Sequence, residues 1–456
     1  MSAPTPSDSR EPAATATVTM ADVLRVWGPL AASWLLMGLE LPAVSAVMAR
    51  LPQATVSLAA YGGVVFPTAL LCESPIIMLL AASTAVIRDI PSYRLVKRFM
   101  YVTAGTLLSL HALIAFTPLF DLLVGRVLAV PPEVLEPARL GLRIMLPWVI
   151  SIAMRRTEQG VLIRSGRPHA LTIGTAVRLG VEGLVLGAGL AYGKLPGIVV
   201  GTGAVACAVM AEAVYAIVAV RPALRELRAV PPSAEPLTLR AFLRFYLPLM
   251  VTPLINFIAM PLGSAAMSRM PRALDSLATW PVLSGASFTM RSVGFAYNEV
   301  VVSMLDRPRA VPALRRFAVA LSAVSSGVLL FAAATPVGLA WFARVSALPA
   351  PLLPMATAAL WWLAFTPAAT AWQSYWQGVL VHSRRTHGVT ESVVVTLAVT
   401  ALVLWTGVRM QVSPGLLVAA AGLLAGTVAQ AAWLALRARP ALAALAAVDG
   451  RVNAAA

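Results

Sequence analysis

The chain contains the same pattern of residues twice. The segment 48–61, MARLPQATVSLAAY, returns at 267–280 as MSRMPRALDSLATW, an offset of 219 residues (271 − 52). From Lys97 onward the offset is 218 and stays there, so a single-residue slip falls between Tyr61 and Lys97. The later matches include Lys97-Arg98-Phe99 with Arg315-Arg316-Phe317, Gln159-Gly160-Val161-Leu162 with Gln377-Gly378-Val379-Leu380, and Arg221-Pro222 with Arg439-Pro440. A register kept over most of the chain indicates one unit of roughly 220 residues used twice.

Composition places both copies in a membrane. Hydrophobic residues make up 59% of the chain and charged residues 12%, whereas a soluble protein of this length needs far more polar surface. A membrane-spanning helix needs about 20 mostly apolar residues. The sequence predicts twelve such helices, six in each copy, at approximately 22–48, 56–86, 98–122, 137–160, 170–192, 196–219, 242–267, 275–304, 315–343, 351–379, 388–408 and 413–436.

Loop arginines predict how the copies are oriented. Arginine and lysine concentrate in alternate loops, which places both termini in the cytoplasm and the protein in the inner or plasma membrane. Because six is even, both copies enter from the same side, so the two six-helix bundles form a parallel repeat around a central cavity. The predicted organisation is a disordered cytoplasmic tail at 1–21, an N-terminal bundle at 22–220, a cytoplasmic linker at 221–240, a C-terminal bundle at 241–437 and a cytoplasmic tail at 438–456.

Several classes of function are disfavoured by the sequence. The net charge of +16 could suggest nucleic acid, but the arginines lie between apolar spans rather than on one face, which is typical of topology signals. Cys72 and Cys207 both lie inside apolar spans, so we expect neither a disulfide nor a thiol metal site. The sequence has no nucleotide-binding P-loop and no nucleophile elbow. We therefore expect a protein that is not an enzyme, has no resident cofactor or metal, and acts as a monomer.

The chain resembles the multidrug, oligosaccharidyl-lipid and polysaccharide flippase (MOP) superfamily, which includes the multidrug and toxic compound extrusion (MATE) transporters. The resemblance depends on Pro29 and Pro248 early in the first and seventh helices, on the two-by-six repeat, and on the basic loops after helices two and eight. The major facilitator transporters share the plan of two six-helix halves, but the loop after their second helix carries a glycine-containing signature, and the loop 87–91 lacks those glycines. A weaker resemblance to the progressive ankylosis group lies in Pro29-Leu30 followed by Glu40, in 59–62 with Pro75 beyond, and in 245–249.

The MATE-like resemblance implies Na⁺- or H⁺-coupled antiport of a small organic solute by alternating access, in contact with membrane lipid. Two transport alternatives stay open at this point: an organic anion or pyrophosphate-type exporter similar to the progressive ankylosis group, and a flippase for a lipid-linked precursor. A non-transporting membrane scaffold is the alternative from another class, and it predicts that every buried charge is paired.

Charged residues inside the spans are the candidate site residues, because each costs about 2.5–3.5 kcal/mol at the membrane centre. Glu40 lies near mid-membrane, and its counterpart in the second copy is Ala259, although the nearby prolines Pro42 and Pro261 are kept. Pro42 frees a backbone carbonyl, and a carboxylate beside a free carbonyl can hold Na⁺ or a proton. The resemblance points the same way, since many MATE-type exporters use a first-helix carboxylate, usually Asp, for coupling.

Charge asymmetry between the copies places the coupling site in the first bundle. Arg178 and Glu182 stand four residues apart on one helix face, opposite Thr396 and Thr400 in the second copy. A self-neutralising helical pair is the alternative for them. We predict an ion-coupling set of Glu40, Glu73 and Glu182, and a substrate-cavity set of Arg155, Arg156, Glu158, Gln159, Arg178, Asn256, Arg291 and Glu299.

Two assignments depend on the repeat register, and a third on spacing within a helix. Glu73 is matched with Ser292 in the second copy, and Glu212 with Gln430. The second match favours helix–helix hydrogen bonding for Glu212 rather than substrate contact. For Arg155 and Glu158, three residues apart near a helix end, the alternative is snorkelling to the membrane interface.

Overall fold

The structure is a computed structural model that describes residues 18–307 and 310–455. The predicted tail therefore lies outside the described residues from 1 to 17, while the first helix begins at Met20. Every regular element in the described ranges is a helix. The first bundle contains α1 (Met20–Met48), α2 (Ala54–Ala60), α3 (Phe66–Glu73), α4 (Leu79–Val86), α5 (Ile90–Phe116), α6 (Pro132–Ile144), α7 (Leu146–Arg164), α8 (His169–Tyr192) and α9 (Gly197–Ala219).

A short helix in the linker, α10 (Arg221–Ala229), precedes the second bundle, and the last helix extends through the predicted second tail. The second bundle contains α11 (Leu239–Ser268), α12 (Ala273–Met304), α13 (Ala310–Ala334), α14 (Pro336–Ala340), α15 (Leu353–Leu363), α16 (Thr366–His382), α17 (His387–Met410) and α18 (Gly415–Ala455). Short π-helical turns lie at Tyr61–Val65, Asp121–Val127 and Trp341–Val345.

Within residues 18–307 and 310–455, eleven helical stretches are long and apolar enough to cross a membrane. The remaining predicted span is α12, which has 32 residues but a more polar composition. It is buried along its length, including Ser287, Thr289 and Ser292, because it packs against α1, α2 and α16 rather than facing lipid. A helix that faces other helices can carry polar residues that a lipid-facing helix cannot. The prediction of an all-α integral membrane protein is confirmed.

The two copies have the same internal packing. Helix α8 packs against α9 as α17 packs against α18, and α7 packs against α5 and α9 as α16 packs against α13 and α18. The residues with positive φ recur at matched positions, which is a local signature of the same chain path. These pairs are Gln53 with Arg272 (272 − 53 = 219), and Ala129 with Ala347, Gly166 with Arg384 and Gly193 with Gln411 (each 218 apart).

The register slip lies at the π-helical turn Tyr61–Val65. Trp27 Nε1 donates to the Val293 carbonyl at 3.0 Å, and Tyr246 Oη donates to the Pro75 carbonyl at 2.5 Å. The donors Trp27 and Tyr246 are 219 residues apart, and the acceptors Pro75 and Val293 are 218 residues apart (293 − 75). The first copy therefore contains one more residue than the second between the donor and the acceptor positions. A π turn closes i→i+5 hydrogen bonds and so holds one residue more than an α turn. Glu73 therefore corresponds to Arg291 (73 + 218), not to Ser292 as the sequence alone suggested.

The bundles touch at both membrane faces through pairs of matched contacts. On the face opposite the termini, Arg50 donates to the carbonyls of Arg344 (2.6 Å) and Val345 (2.9 Å). Its counterpart Arg269 donates to Val127 (2.6 Å) and Leu128 (3.2 Å). We call these two contacts the arginine clasps. Each arginine satisfies carbonyls at the end of a π turn in the other bundle, where the helix leaves acceptors free.

On the face that carries the termini, Trp27 and Tyr246 form what we call the aromatic clasps. Besides its hydrogen bond, Trp27 packs edge-on against Phe317 at 5.3 Å, and Tyr246 packs edge-on against Phe99 at 5.1 Å. The start of α1 thus belongs to the core of the second bundle, and the start of α11 to that of the first. Both faces of the interface are held in this structure.

Candidate ion and substrate site

Glu212 on α9 is the centre of a buried polar network in the first bundle. Its carboxylate accepts hydrogen bonds from Arg155 and from Gln159 Nε2 at 3.0 Å, both on α7. Arg178 Nε on α8 lies 3.6 Å away. All four side chains are buried. The two α7 residues share a face because they are four apart, and that face turns toward α9.

Glu40 joins this network from α1. Arg178 Nη2 lies 2.6 Å from Glu40 Oε2, and the exposed fractions of the two side chains are 10% and 15%. Arg178 therefore bridges Glu40 and Glu212 instead of pairing with Glu182 on its own helix, and the alternative of a self-neutralising helical pair is wrong. Glu40 lies eight residues before the end of α1, roughly 12 Å from it at 1.5 Å per residue.

Two further acids complete the cluster. Glu73 on α3 is buried among Arg155, Arg156 and Arg178. Glu182 on α8 is buried with Glu40 and Arg178 as its charged neighbours. Both carboxylate oxygens of Glu182 lack a hydrogen-bond partner among the described residues. An ionised carboxylate buried without a partner costs several kcal/mol, so Glu182 needs a proton or a bound cation.

The charges of the cluster do not balance. It holds four carboxylates (Glu40, Glu73, Glu182, Glu212) and three guanidinium groups (Arg155, Arg156, Arg178), which gives 3 − 4 = −1. One monovalent cation or one proton makes the group neutral. The surplus lies on the side of Glu40 and Glu182, because Glu212 and Glu73 are surrounded by arginines.

The carbonyl freed by Pro42 does not serve an ion. Pro42 lacks the donor for the Gly38 carbonyl, four residues earlier, and that carbonyl instead accepts a 2.7 Å hydrogen bond from Thr289 Oγ1 on α12. The expectation of a free carbonyl beside Glu40 is therefore wrong. A Cβ on Gly38 would come within 3.0 Å of the Thr289 backbone, so the close approach of α1 and α12 requires glycine here.

Four residues of the predicted substrate set lie elsewhere. Glu158 does not join the cluster, although it is buried: it pairs with Lys97 and accepts from Tyr93 Oη at 3.1 Å. Snorkelling is wrong for both members of the Arg155–Glu158 pair. Asn256 on α11 and Glu299 on α12 are exposed. Arg291 lies in the second bundle, apart from the acids.

The second bundle builds the same network from neutral side chains. Gln373 Nε2 donates to Gln430 Oε1 at 3.0 Å and to the Thr427 carbonyl at 2.7 Å, in place of Arg155 and Glu212 (373 − 155 = 430 − 212 = 218). Thr396 and Thr400 replace Arg178 and Glu182, and their hydroxyls bond to backbone carbonyls. The charges of the first bundle are therefore not a requirement of the fold.

Glu212 makes the helix–helix hydrogen bonds that the repeat register predicts, and it is also the centre of a charged network that includes Arg178, which the sequence analysis does not predict. The signal was present: two polar residues recur together in both copies, at 155 and 212 and at 373 and 430, as a pair in contact would. Lys97, the partner of Glu158, is not among the residues that the sequence predicts for the site.

The chain has the fold of solved MOP superfamily structures. It is similar to a multidrug resistance MATE family transporter in an inward-facing conformation, with 16% identity, a TM-score of 0.68, and coverage of 91% of this chain and 98% of that one. It is also similar to the lipid II flippase MurJ in an inward closed conformation, with 11% identity, a TM-score of 0.64, and coverage of 90% and 87%.

A third similar structure is a MOP superfamily transporter from Pyrococcus furiosus, described as having a binding pocket of reverse polarity that suggests a different function. It shares 15% identity at a TM-score of 0.59, with 93% of this chain and 96% of that one covered. No protein-family model and no curated protein matches the chain. The likeness to MATE and MOP structures predicted from the sequence is confirmed at the level of the fold.

Proposed function

From this shared fold as premise, we propose that the protein is a secondary active exporter that couples antiport of Na⁺ or H⁺ to movement of a small organic solute. The observation that carries the proposal is Glu182, a buried carboxylate whose two oxygens lack partners among the described residues, next to Glu40 in a cluster with one surplus negative charge. The coupling cation binds between Glu40 and Glu182. Glu73, the third acid of the predicted coupling set, balances the positive charges of Arg155 and Arg156 and keeps the net charge of the cluster constant.

Cation binding acts on the bundle interface through α1. A cation at Glu40 competes with Arg178, which can shift its charge toward Glu212, 3.6 Å away. Because α1 packs along α12 of the second bundle, any change in its position alters the contact between the bundles. A bound ion can shift the balance between conformations only by binding one of them better than the other. Breakage of the Glu40–Arg178 contact supplies that difference.

The clasps define the two faces that open in turn. Opening toward the face opposite the termini breaks both arginine clasps, and opening toward the terminal face breaks both aromatic clasps. The solute occupies the predicted central cavity between the bundles. By the distribution of loop arginines, the terminal face is cytoplasmic and the membrane is the inner or plasma membrane. The working unit is a monomer, since each chain carries both bundles.

Flux measurements in proteoliposomes test the proposal. Vesicles carry the aromatic cation ethidium or the aromatic dianion Lucifer Yellow, and an imposed Na⁺ or H⁺ gradient drives exchange. The native chain should move one dye with one of the gradients, and Glu40→Gln and Glu182→Gln should abolish the gradient dependence. Glu391→Gln is the matched control, because Glu391 pairs with Arg437 at 2.6 Å outside the cluster. Unchanged gradient-driven flux in both cluster variants refutes the coupling site.

A further inference from the structure

Arg291 is a cation in the middle of α12 with no acidic partner. Its Nε donates to Thr370 Oγ1 on α16 at 2.9 Å, and this is the one hydrogen bond that its side chain makes to the described residues. No carboxylate of the described residues forms an ion pair with it. A guanidinium group has five N–H donors and stays charged in proteins, so Arg291 keeps four donors free inside the second bundle.

The arginines of the first-bundle cluster differ in this respect. Arg155 pairs with Glu212, Arg178 with Glu40, and Arg156 has Glu73 and Glu212 as charged neighbours. Arg291 occupies the position that Glu73 holds in the first copy, so the repeat has exchanged an acid for a base at one place. An uncompensated charge at membrane depth is costly, and no ion pair with the described residues offsets that cost here.

The surroundings of Arg291 fit an anion that carries an aromatic ring. Arg291 Cζ lies 5.6 Å from the ring of Phe295, which in turn lies 5.6 Å from the ring of Trp34 on α1. Phe288 lies 5.9 Å from Phe295. The aromatic side chains thus extend from the cation toward α1 of the first bundle.

A second polar side chain lies on the same helix face. Asn298 follows Arg291 by seven residues, two helical turns, so Arg291, Phe295 and Asn298 share a face. The Asn298 side-chain oxygen is buried and makes no hydrogen bond to the described residues. An amide oxygen only accepts, so the group that Asn298 can offer to an anion is its Nδ2 donor, on the same helix face as the free donors of Arg291.

We propose that the second bundle holds the anionic end of the transported solute at Arg291, with its aromatic or apolar part along Phe288, Phe295 and Trp34, so that the substrate is an aromatic organic anion. The group bound is a carboxylate, sulfonate or phosphate, which matches the planar donors of arginine. This inference rests on the proposed function and adds to it a division of labour, in which the first bundle binds the cation and the second binds the anion.

Equilibrium binding of dyes to purified protein in nanodiscs of zwitterionic lipid tests the site without any gradient. Fluorescence anisotropy follows Lucifer Yellow and ethidium, and benzoate and 4-methylumbelliferyl phosphate are added as competitors. The native chain should bind the anions in preference to ethidium. Arg291→Gln should weaken anion binding roughly tenfold to hundredfold, the range for a charge-assisted hydrogen bond, and Arg291→Lys by less, since it keeps the charge.

Arg409 offers a matched control. It also lies over an aromatic ring, with its Cζ 5.5 Å from Trp405, but at the surface of α17. Arg409→Gln should bind anions as the native chain does. Asn298→Ala should weaken anion binding while leaving the charge in place, which tests the face by a second variant if Arg291→Gln does not fold. Equal binding by the Arg291→Gln and native chains, or absence of binding for all three anions, overturns the proposal.

Two further arms separate related results. Nanodiscs that contain phosphatidylglycerol distinguish a lipid headgroup from a soluble anion. If the anionic lipid competes with dye binding in the native chain but not in Arg291→Gln, the site binds lipid, and the proposal of a soluble substrate is overturned. The failure of the coupling site is separable. If the native chain binds the anions but its flux does not depend on the gradient, only the proposed function is refuted. If the native chain shows gradient-driven ethidium flux but does not bind the anions, only the anion site is refuted.

Discussion

The two bundles have the same fold with different polar interiors. At matched positions the first bundle holds Arg155 and Glu212, and the second holds Gln373 and Gln430, each pair in hydrogen-bond contact. Two amides satisfy each other without a net charge to desolvate, whereas a buried ion pair carries a large desolvation penalty. The fold itself therefore requires only a polar pair at these two positions. The charges of the first bundle are an addition that needs another reason, which we assign to ion coupling.

The largest expected effect on stability comes from replacing one residue of the Arg155–Glu212 pair. Arg155→Gln leaves the cluster with two surplus negative charges, and removing one partner of a buried ion pair costs about 3–5 kcal/mol. Adding Glu212→Gln copies the amide pair of the second bundle and should recover most of the loss. Thermal unfolding of the purified single and double variants measures both. A double variant no more stable than Arg155→Gln would show that the two interiors are not interchangeable.

The same position in the second bundle sharpens this test. Gln373→Leu removes the donor to the Gln430 side-chain oxygen and to the Thr427 carbonyl but leaves no unpaired charge, and we expect a loss of only about 1–3 kcal/mol. If Gln373→Leu lowers the stability as much as Arg155→Gln does, the charges of the Arg155–Glu212 pair do not increase its contribution to stability.

Matched glycines test the packing that the copies share. A Cβ on Gly160 would lie 2.7 Å from the Leu80 carbonyl oxygen, and one on Gly378 would lie 2.7 Å from Val301 Cβ. Overpacking typically costs about 1–3 kcal/mol, and Gly160→Ala should cost more, since the backbone of α4 yields less than a valine side chain. Gly28→Ala, with no atom within 4 Å, is the control and should be neutral. Comparison of melting temperatures decides the order.

The arginine clasps should be equivalent. Arg50→Gln removes two hydrogen bonds to the other bundle and Arg269→Gln removes three, and each change should favour opening of that face by about 1 kcal/mol. Spin labels at Gln53 and Arg272, which lie at matched positions in the two bundles, report the opening as longer interlabel distances in pulsed electron resonance. Arg344→Gln is a control that keeps the accepting carbonyl. Opening in one clasp variant only would contradict the pseudo-two-fold symmetry of the interface.

The smallest effect concerns Asp89, which has no acidic counterpart, since the matched position is Arg307. Its carboxylate accepts from Ser92 and from the Ser233 backbone N–H at 2.7 Å, and these hydrogen bonds lower the pKa of Asp89 below its usual value. A lowered pKa means stabilisation that is present above the unfolded-state pKa and lost as the pH falls through the folded one. Asp89→Asn should thus melt slightly lower than the native chain at neutral pH, with the gap closing in acid. A gap that is independent of pH would refute the charge-dependent contribution.

Sequence reasoning reached the fold because its signals are local or repetitive. Apolar spans, loop arginines and a register kept from Pro29 to Arg439 need no three-dimensional information. The site was reached in part: Glu40, Glu73, Glu182, Arg155, Arg156, Gln159 and Arg178 do converge. Glu158, Asn256, Arg291 and Glu299 do not join them, because helical periodicity says which residues share a face but not which neighbour that face meets.

A duplicated membrane bundle and the asymmetry of its buried charges follow from the sequence alone. The partners of the buried side chains follow from the packing of the helices: Arg178 contacts Glu40 and Glu212 instead of Glu182, Thr289 satisfies the carbonyl freed by Pro42, and a π turn brings Glu73 and Arg291 to matched positions of the repeat. The two kinds of feature differ in range. Burial and helix formation depend on neighbours along the chain, whereas an ion pair depends on helices brought together from distant parts of the sequence by packing.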